Sequence, residues 1–504
     1  MAATILAALI NALSPVNLLW SLIGTVVGII IGALPGLSAS TAVALFIPVT
    51  FNLRADTALL TLGAAFGAAT FGGAITAILI GTPGTPDNVF TVIDGYPMSQ
   101  QGLGSKALGI ATVASFVGGV FSTLVLLVAA PPLAQWALAF GPAELFLVTL
   151  MGVVIVAGIV KEKPVRGLLS AMIGLLLATV GMDSLNGSYR FTMGQVSLFE
   201  GLPLVPVVVG LFSAAQALWL AWENRPYIAV DPNSLSGSVV PRFRDLCDLA
   251  PTFLKSAVIG TIVGIIPAAG ATIAAGISYN EAKRASKHPE TFGHGEPHGL
   301  AAAEASNNAV VGGSLVPLLT LSIPGCGTAA IFLGGLLIHG LNPGSELFTK
   351  QAHTTYTLIL GLFIANLMML ALGLGGARLF AKVTTIPNAI LVPLILLFSV
   401  IGSYAVRNSV FDVFIMLLFA VLGFAAMKTE MPVAPFVLGF VLGPLLEAQF
   451  RRALMLAGST VWTVLFGSPL RVVLFLLDLF CLIGPFMSDI ARFFRGKRAR
   501  GEIC

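Results

Sequence analysis

Long windows without a charged residue constrain this chain more than any other feature of its sequence. One window runs from Ala2 to Leu53, and further windows follow at Thr57–Pro86, Ala107–Ala143, Leu202–Ala221, Ser256–Asn280, Ala305–Ser345 and Thr354–Ala377. Because a helix needs only about 20 apolar residues to cross a bilayer, several windows must contain two passes or a hairpin. The pattern predicts an all-α polytopic membrane protein with roughly ten to twelve hydrophobic segments.

The composition agrees with this class and narrows the possible functions. Hydrophobic residues make up 57% of the chain and charged residues 10%. The apolar N-terminus lacks a basic region, so we interpret it as the start of a membrane segment rather than as a cleaved signal peptide. The net charge of +4 comes largely from the C-terminal run RFFRGKRAR. Basic residues beside a last span are typical of the cytoplasmic face, and we do not interpret them as a nucleic-acid site.

Motifs of hydrolytic enzymes and metal sites are missing from the sequence. It contains neither the P-loop pattern G-x-x-x-x-G-K-[ST] nor the zinc-protease pattern H-E-x-x-H. The stretch HGEPH, from His294 to His298, contains Gly and Pro, which favour a solvated loop over a metal site. The four cysteines lie in unrelated contexts and predict neither a disulfide framework nor a zinc site. We therefore expect a protein that is not an enzyme, with no catalytic residue, metal or cofactor.

The least hydrophobic stretch divides the chain into two apolar halves. It runs from Glu223 to Lys255 and carries Pro, Ser and charges of both signs. The division predicts a first transmembrane repeat over residues 1–222, a hydrophilic linker over 223–255, a second repeat over 256–490 and a basic cytoplasmic tail over 491–504.

Two phrases occur in both halves and in the same order. GTVVGIIIGALPG, from Gly24, resembles GTIVGIIPAAG, from Gly260, and FGGAITAILIGTPGT, from Phe71, resembles VGGSLVPLLTLSIPGCGT, from Val311. Chance explains one such match more easily than two matches in order, so we predict an internal duplication. Each phrase is an apolar run that ends at Pro and Gly, which interrupt a helix.

Basic loops indicate that the two repeats are inverted relative to each other. The loop Lys161–Arg166, the linker with Arg242 and Lys255, and the loop Lys283–Lys287 should all be cytoplasmic by the positive-inside rule. Only about 25 apolar residues separate the linker from the last loop, and they are interrupted at Pro267–Gly270, which favours a re-entrant hairpin. A matching hairpin near residues 34–36 would give the first repeat the opposite orientation.

The repeated breaks predict a substrate site near the middle of the membrane. Broken helix is tolerated there only where it is buried in protein or lines a polar cavity, and the freed helix N-termini bind anions. Four such N-termini would supply roughly two positive charges, which suits a di- or tricarboxylate. Small hydroxyls follow the breaks, and no Lys or Arg lies beside them. The predicted substrate residues are Pro35, Gly36, Ser38, Ser40, Thr41, Thr82, Pro83, Gly84, Thr85, Asn88, Pro267, Gly270, Thr272, Pro324, Gly325, Gly327 and Thr328.

Two alternatives stay open for these residues and their neighbours. Small residues four apart, such as Gly24, Gly28 and Gly32, are also typical of close helix packing. A second polar group consists of Glu304, Asn307 and Asn308, which share one helix face, together with Asp87. Polar residues inside a membrane are functional by default, so we interpret these four as a coupling-ion site or polar network. For Glu304, Asn307 and Asn308, the alternative is a position at a helix end, at the level of the headgroups.

In these motifs the chain resembles the large membrane subunit of the bacterial tripartite tricarboxylate transporters. The similarity extends over nearly the whole length and is most specific in GIIIGALPGLSASTAVALFIPVTF, FGGAITAILIGTPGTP, GTIVGIIPAAGATIAAGISY and EASNNAVVGGSLVPLLTLSIPG. The glycine-rich, proline-broken segments of the family fall on Gly28, Gly32, Pro35, Gly36, Gly81, Pro83, Gly84, Pro267, Gly270, Pro324, Gly325 and Gly327.

The resemblance implies secondary active uptake across the bacterial inner membrane. Expected substrates are citrate, other tricarboxylates, dicarboxylates or aromatic carboxylates, with Na⁺ or H⁺ as the coupling ion. Expected partners are a periplasmic substrate-binding protein and a small membrane subunit of about four helices. A stand-alone cation/carboxylate symporter and an anion channel stay open as alternatives, although paired, dispersed breaks favour alternating access over a continuous pore.

Overall fold

The described part of the chain is almost entirely helical. The computed structural model describes residues 2–158, 164–183, 186–223, 237–267, 270–383, 386–458 and 460–483. Within these ranges, nine helices are long and apolar enough to cross a membrane, and five shorter apolar helices accompany them. The regular β structure found there is one antiparallel pair, β1 (Gly181–Met182) and β2 (Tyr189–Arg190). The prediction of an all-α polytopic membrane protein is confirmed.

The helices follow one another with short connections. In chain order they are α1 (Ala2–Ala12), α2 (Pro15–Gly32), α3 (Ala39–Thr50), α4 (Ala55–Ile80), α5 (Val89–Met98), α6 (Gly104–Ala137), α7 (Pro142–Gly158), α8 (Pro164–Leu177), α9 (Leu204–Val209), α10 (Ala215–Glu223), α11 (Phe243–Ile265), α12 (Gly270–Ala285), α13 (Pro297–Leu321), α14 (Gly327–Ile338), α15 (Ser345–Thr349), α16 (Ala352–Val383), α17 (Asn388–Arg407), α18 (Val410–Lys428), α19 (Val433–Leu456) and α20 (Val461–Phe466). Residues 469–483 are also helical.

The chain forms two compact units, and each contains segments from both sequence halves. The larger unit comprises residues 1–137 and 203–425, and the smaller comprises 138–202 and 426–504. The predicted domain boundaries and the inverted orientation of the repeats stay predictions. Residues 161–163 of the first basic loop, 224–236 of the linker and 491–504 of the basic tail lie outside the described residues.

Four helix interruptions lie where Pro and Gly predict them. They separate α2 from α3, α4 from α5, α11 from α12 and α13 from α14. At equivalent positions, Gly81 and Ser322 end α4 and α13 in the left-handed conformation, with φ of +68° and +62°. Ser38 then starts α3 by accepting a hydrogen bond from the Thr41 N–H, as expected of a serine at a helix N-cap.

Glycines hold the paired helices of each half at close range. A β carbon on Gly28 of α2 would lie 2.7 Å from the Ala65 carbonyl oxygen of α4, and one on Gly260 of α11 would lie 2.3 Å from Ser306 O of α13. Gly32 meets Ala69 O in the same way, at 2.1 Å. Any larger residue would push the backbones apart, so the packing alternative holds for these glycines.

The same packing contacts recur in the second half at equivalent positions of the paired helices. Gly72 of α4 approaches the Ile29 carbonyl of α2, and Gly313 of α13 approaches the Thr261 carbonyl of α11. In the breaks, the Gly84 N–H donates to Gly73 O at 3.2 Å, and the Gly325 N–H donates to Ser314 O at 3.4 Å. The two halves therefore share helix boundaries and interior contacts as well as sequence phrases.

The smaller unit is held together by helix packing and paired charges. A β carbon on Gly174 of α8 would lie 2.0 Å from Phe436 O of α19. The Arg190 guanidinium donates to both oxygens of Glu447, at 2.7 and 3.1 Å. Arg451 donates to Asp183 at 2.7 Å. These carboxylates accept hydrogen bonds from cationic partners, which is the arrangement that buried or half-buried acids require.

Candidate functional site

A cavity of about 250 Å³ lies where the four helix interruptions meet in the larger unit. Its wall contains the first residues of α3, α12 and α14, together with Pro86 and Asp87 of the turn before α5. The rest of the wall consists of Phe66 and Thr70 from α4, Asn307, Val310 and Val311 from α13, and Phe212. The structure thus brings the N-termini of four helices, each of at least 10 residues, to one place.

The electrostatics of the cavity come from backbone rather than from basic side chains. None of the described residues that line it is Lys, Arg or His, and Asp87 is the one carboxylic acid among them. The unpaired N–H groups of a helix N-terminus are equivalent to about half a positive charge. Four such ends together attract an anion, and Asp87 opposes part of that attraction.

Asn307 places an unpaired amide at the cavity wall. Its side chain is fully buried and lines the cavity, yet neither Oδ1 nor Nδ2 has a hydrogen-bond partner within the described chain. Leaving a buried polar group unpaired costs roughly 1–3 kcal/mol. Because a buried group of this kind needs an explanation, we interpret Asn307 as a residue whose partner is the ligand.

Two hydrogen bonds across the cavity are related by the internal repeat. The Ser40 hydroxyl at the start of α3 lies 2.9 Å from the Thr328 hydroxyl of α14. In the equivalent contact, the Thr272 hydroxyl of α12 donates to Asp87 Oδ1 at 2.9 Å. Each half therefore uses its first interruption to contact the second interruption of the other half. The two contacts differ chemically at one position, where Asp87 corresponds to Thr328.

Glu304 lies inside α13, roughly two turns after its start at Pro297, and is fully buried. Asn88 Nδ2 donates to its Oε1 at 3.0 Å, Ser115 Oγ donates to its Oε2 at 3.0 Å, and Thr91 also donates to Oε1. Glu304 therefore does not lie at the end of α13. Glu304 instead joins α13 to the start of α5 and to α6 through neutral donors.

The predicted site residues fall into two groups. Of the predicted substrate residues, the described cavity wall contains Ser38, Ser40, Gly270, Gly327 and Thr328, and of the predicted polar network it contains Asp87 and Asn307. The other predicted residues that the structure describes lie outside this wall: Pro35, Gly36, Thr41, Thr82, Pro83, Gly84, Thr85, Asn88, Pro267, Thr272, Pro324, Gly325, Glu304 and Asn308.

Several residues of this second group form hydrogen bonds or packing contacts next to the cavity wall. Thr272 contacts Asp87, and Asn88 contacts Glu304. A β carbon on Gly325 would lie 2.2 Å from Gly264 O, so its role is close packing. Asn308 Nδ2 donates to the Gly67 carbonyl at 3.3 Å and ties α13 to α4.

Sequence reasoning missed one buried acid and its partners. Asp94 of α5 is fully buried. Its Oδ1 accepts N–H hydrogen bonds from Gly293, Gly295 and Glu296 at 2.8–3.0 Å, and its Oδ2 accepts one from the Tyr279 hydroxyl at 2.8 Å. The predicted solvated loop around HGEPH is therefore anchored to α5. An acid within an apolar helix was the available signal, but its partners lie about two hundred residues further along the chain.

Similarity to known proteins extends over the whole cavity. A family model described as the tripartite tricarboxylate transporter TctA family matches residues 18–438. An uncharacterised 52.8 kDa protein in the TAR-I ttuC' 3' region of Agrobacterium vitis is 35% identical over 488 residues, which are 97% of this chain and 96% of that protein. An uncharacterised protein in the TAR-II ttuC' 3' region of the same organism is 37% identical over 239 residues, which are 47% of this chain and 97% of that protein.

The matched range includes all four interruptions and every residue of the cavity wall. Of the glycines and prolines that carry the resemblance in the sequence, Gly270 and Gly327 line the cavity, and Gly28, Gly32 and Gly325 pack closely against neighbouring backbone. The chain belongs to the tripartite tricarboxylate transporter TctA family.

Proposed function

We propose that this chain is the permease subunit of a binding-protein-dependent, ion-coupled importer of tricarboxylates or related organic carboxylates. The family forms the large subunit of tripartite tricarboxylate transporters. The observation that carries the proposal for this chain is the convergence of four helix N-termini, together with the unpaired Asn307, on one cavity. That cavity is the proposed substrate site.

The size and chemistry of the cavity fit a small organic anion. Its volume of about 250 Å³ lies just below the range of roughly 300–1,000 Å³ typical of sites for drug-sized ligands. Hydroxyls of Ser38, Ser40 and Thr328 and the amide of Asn307 offer donors to carboxylate oxygens. Because the helix ends supply roughly two positive charges without a basic side chain, a multivalent carboxylate is the substrate class that they favour.

The pairing of the two halves supports alternating access. Each half contributes two of the four helix N-termini, and the halves meet at the Ser40–Thr328 and Thr272–Asp87 contacts. A small rotation of one half against the other would break one side of the cavity and open it to one face of the membrane, as in other repeat transporters with broken helices.

The remaining parts of the transport system follow from family membership. We propose that a periplasmic binding protein delivers the substrate and that a small membrane subunit completes the complex in the bacterial inner membrane. Na⁺ or H⁺ drives uptake, and no other cofactor takes part. One Na⁺ that moves inward down 100 mV contributes about 2.3 kcal/mol, so two or more ions per multivalent anion suit the energetics.

Uptake of labelled carboxylates into proteoliposomes tests this function. The vesicles contain this chain and its small subunit, with and without the binding protein, under separate Na⁺ and proton gradients. Uptake that needs both the binding protein and one gradient is the expected result. Uptake without the binding protein would favour the stand-alone symporter, and flux that is independent of both gradients would favour a channel.

A further inference from the structure

We infer that Asp87 is the coupling-cation site of the cavity and that a monovalent cation, Na⁺ or H⁺, must neutralise it before the substrate anion binds. The inference rests on the proposed function, since it assigns an ion to the same cavity. It selects Asp87 from the four polar candidates and predicts an order of binding.

The position of Asp87 requires some form of neutralisation. Its carboxylate lines the cavity in which the substrate carboxylates are proposed to bind. Like charges that share a small, poorly hydrated space repel each other strongly. With Asp87 ionised, the four helix ends retain a net charge of only about +1, and a bound cation restores about +2. A multivalent anion therefore binds the cation-occupied cavity more tightly than the cation-free one.

The surroundings of Asp87 offer oxygen ligands to a cation. The Thr272 hydroxyl lies 2.9 Å from Asp87 Oδ1 and 3.4 Å from the Pro86 carbonyl oxygen. The Pro86 carbonyl belongs to the short turn before α5. Backbone carbonyls at unwound turns hold Na⁺ in broken-helix transporters, and here the Asp87 carboxylate and the Thr272 hydroxyl add further oxygen atoms.

The other titratable groups nearby explain the choice of Asp87. Cys326 lines the same cavity as a thiol. Glu304 lies behind the wall, and its carboxyl already accepts hydrogen bonds from Asn88, Thr91 and Ser115. Among the described residues of the wall, Asp87 is the one acid, so it lines the cavity in which the substrate is proposed to bind.

The internal repeat supplies a natural comparison for Asp87. Thr328 occupies the equivalent position in the second half, contacts Ser40 instead of Thr272, and carries no charge. The cavity is therefore nearly symmetric in shape but asymmetric in charge. Since coupling is reciprocal, the substrate must raise the affinity for the cation by the same factor by which the cation raises the affinity for the substrate.

Binding of citrate to the purified full chain tests the inference. Calorimetric titrations compare the wild type with Asp87→Asn, first across Na⁺ concentrations at fixed high pH and then across pH without Na⁺. We expect the wild type to lose roughly 100-fold in citrate affinity when its cation is removed, within the range of known site–site couplings. Asp87→Asn should bind citrate with an affinity that does not depend on Na⁺ and that varies with pH only as the ionisation of citrate itself does. The two series distinguish Na⁺ from H⁺.

A matched control and two further variants test whether the cation dependence is specific to Asp87. Glu296→Gln removes an acid that caps α13 outside the described cavity wall and should keep the cation dependence of the wild type. Cation dependence that survives in Asp87→Asn would overturn the inference, and its loss in Glu304→Gln alone would move the site to Glu304. If Asp87→Asn does not fold, Thr272→Val tests the inference instead. It should raise about tenfold the cation concentration at which the gain in citrate affinity is half-maximal. An unchanged concentration would contradict the inference.

Thermal unfolding without citrate separates this inference from the proposed function. A cation that binds the folded chain raises its melting temperature, and we expect this rise in the wild type but not in Asp87→Asn. An Asp87-dependent rise without any carboxylate binding would reject the transport proposal and keep the cation site. Citrate binding that is independent of cations in the wild type would reject the cation site and keep the substrate cavity.

Discussion

The ion pairs Arg451–Asp183 and Arg190–Glu447 of the smaller unit and the cavity wall of the larger unit differ in how their polar groups are satisfied. In the smaller unit, Asp183 and Glu447 accept hydrogen bonds from Arg451 and Arg190, and the charges neutralise each other. In the larger unit, the cavity has four helix N-termini with Asp87 as the one acid beside them, and a buried Asn307 without a partner among the described residues. Removing one partner of a buried ion pair leaves an uncompensated charge and is costly, whereas a buried amide without a partner is available to a ligand. The comparison assigns stability to the first set and binding to the second.

The largest effect is expected where a helix interruption itself is removed. Pro35-Gly36→Ala-Ala should lower carboxylate uptake by more than about 100-fold, because Ala favours continuation of α2 while Gly36 has a left-handed φ of +87°. Uptake in proteoliposomes is measured beside the amount of chain inserted in the membrane, which should remain normal. Normal uptake by the double variant would remove this interruption from the site.

A large effect on stability is expected in the smaller unit. Arg451→Met removes the guanidinium that donates to the Asp183 carboxylate, which is only 4% exposed. We expect a loss of about 3 kcal/mol of folding free energy, seen as a lower melting temperature and less folded protein. The folded fraction should bind carboxylate with unchanged affinity. A change of affinity would contradict a purely structural role for this ion pair.

For Asn307 we expect an effect on carboxylate binding rather than on stability. Asn307→Ala removes a buried amide that has no partner in the described chain, so thermal stability should stay the same or rise slightly. Affinity for the carboxylate should fall about tenfold, since one hydrogen bond to a charged ligand contributes roughly 1.5–3 kcal/mol. A variant that is destabilised but binds normally would identify Asn307 as a structural residue.

The smallest effect is expected for the hydroxyl pair across the cavity. Ser40→Ala removes one partner of the Ser40–Thr328 contact but no charge and no helix end. Affinity for the carboxylate should fall a few-fold, consistent with roughly 1 kcal/mol for a neutral hydrogen bond. Binding titrations of Ser40→Ala and Asn307→Ala in parallel rank the two contacts. A larger loss for Ser40→Ala than for Asn307→Ala would show that the hydroxyl pair, and not the amide, dominates binding.

Much of this architecture could be predicted from the sequence because its strongest signals are local. Charge-free windows predict membrane helices, and Pro-Gly pairs predict where helices are interrupted. The register of the repeat was harder to predict. In the sequence phrases Gly24 matches Gly260, whereas packing pairs Gly28 with Gly260, one turn later. A spacing of one glycine every four residues repeats along α2, so similarity alone fits both registers.

Contacts between distant segments could not be predicted in the same way. The partners of Asp94 and Glu304 come from segments about two hundred residues away in the chain, and spacing contains no information about them. For the same reason, sequence could place Ser38, Gly84 and Gly325 near interruptions without separating wall residues from packing residues. That distinction depends on which side of each turn faces the neighbouring helix.

The most direct measurement is a structure of the purified chain, determined by electron cryomicroscopy with citrate and the coupling ion. We expect citrate density in the cavity among the N-termini of α3, α5, α12 and α14, within hydrogen-bonding distance of Asn307. Citrate bound reproducibly elsewhere, with Asn307 still unpaired in an empty cavity, would contradict the assignment of this cavity as the substrate site.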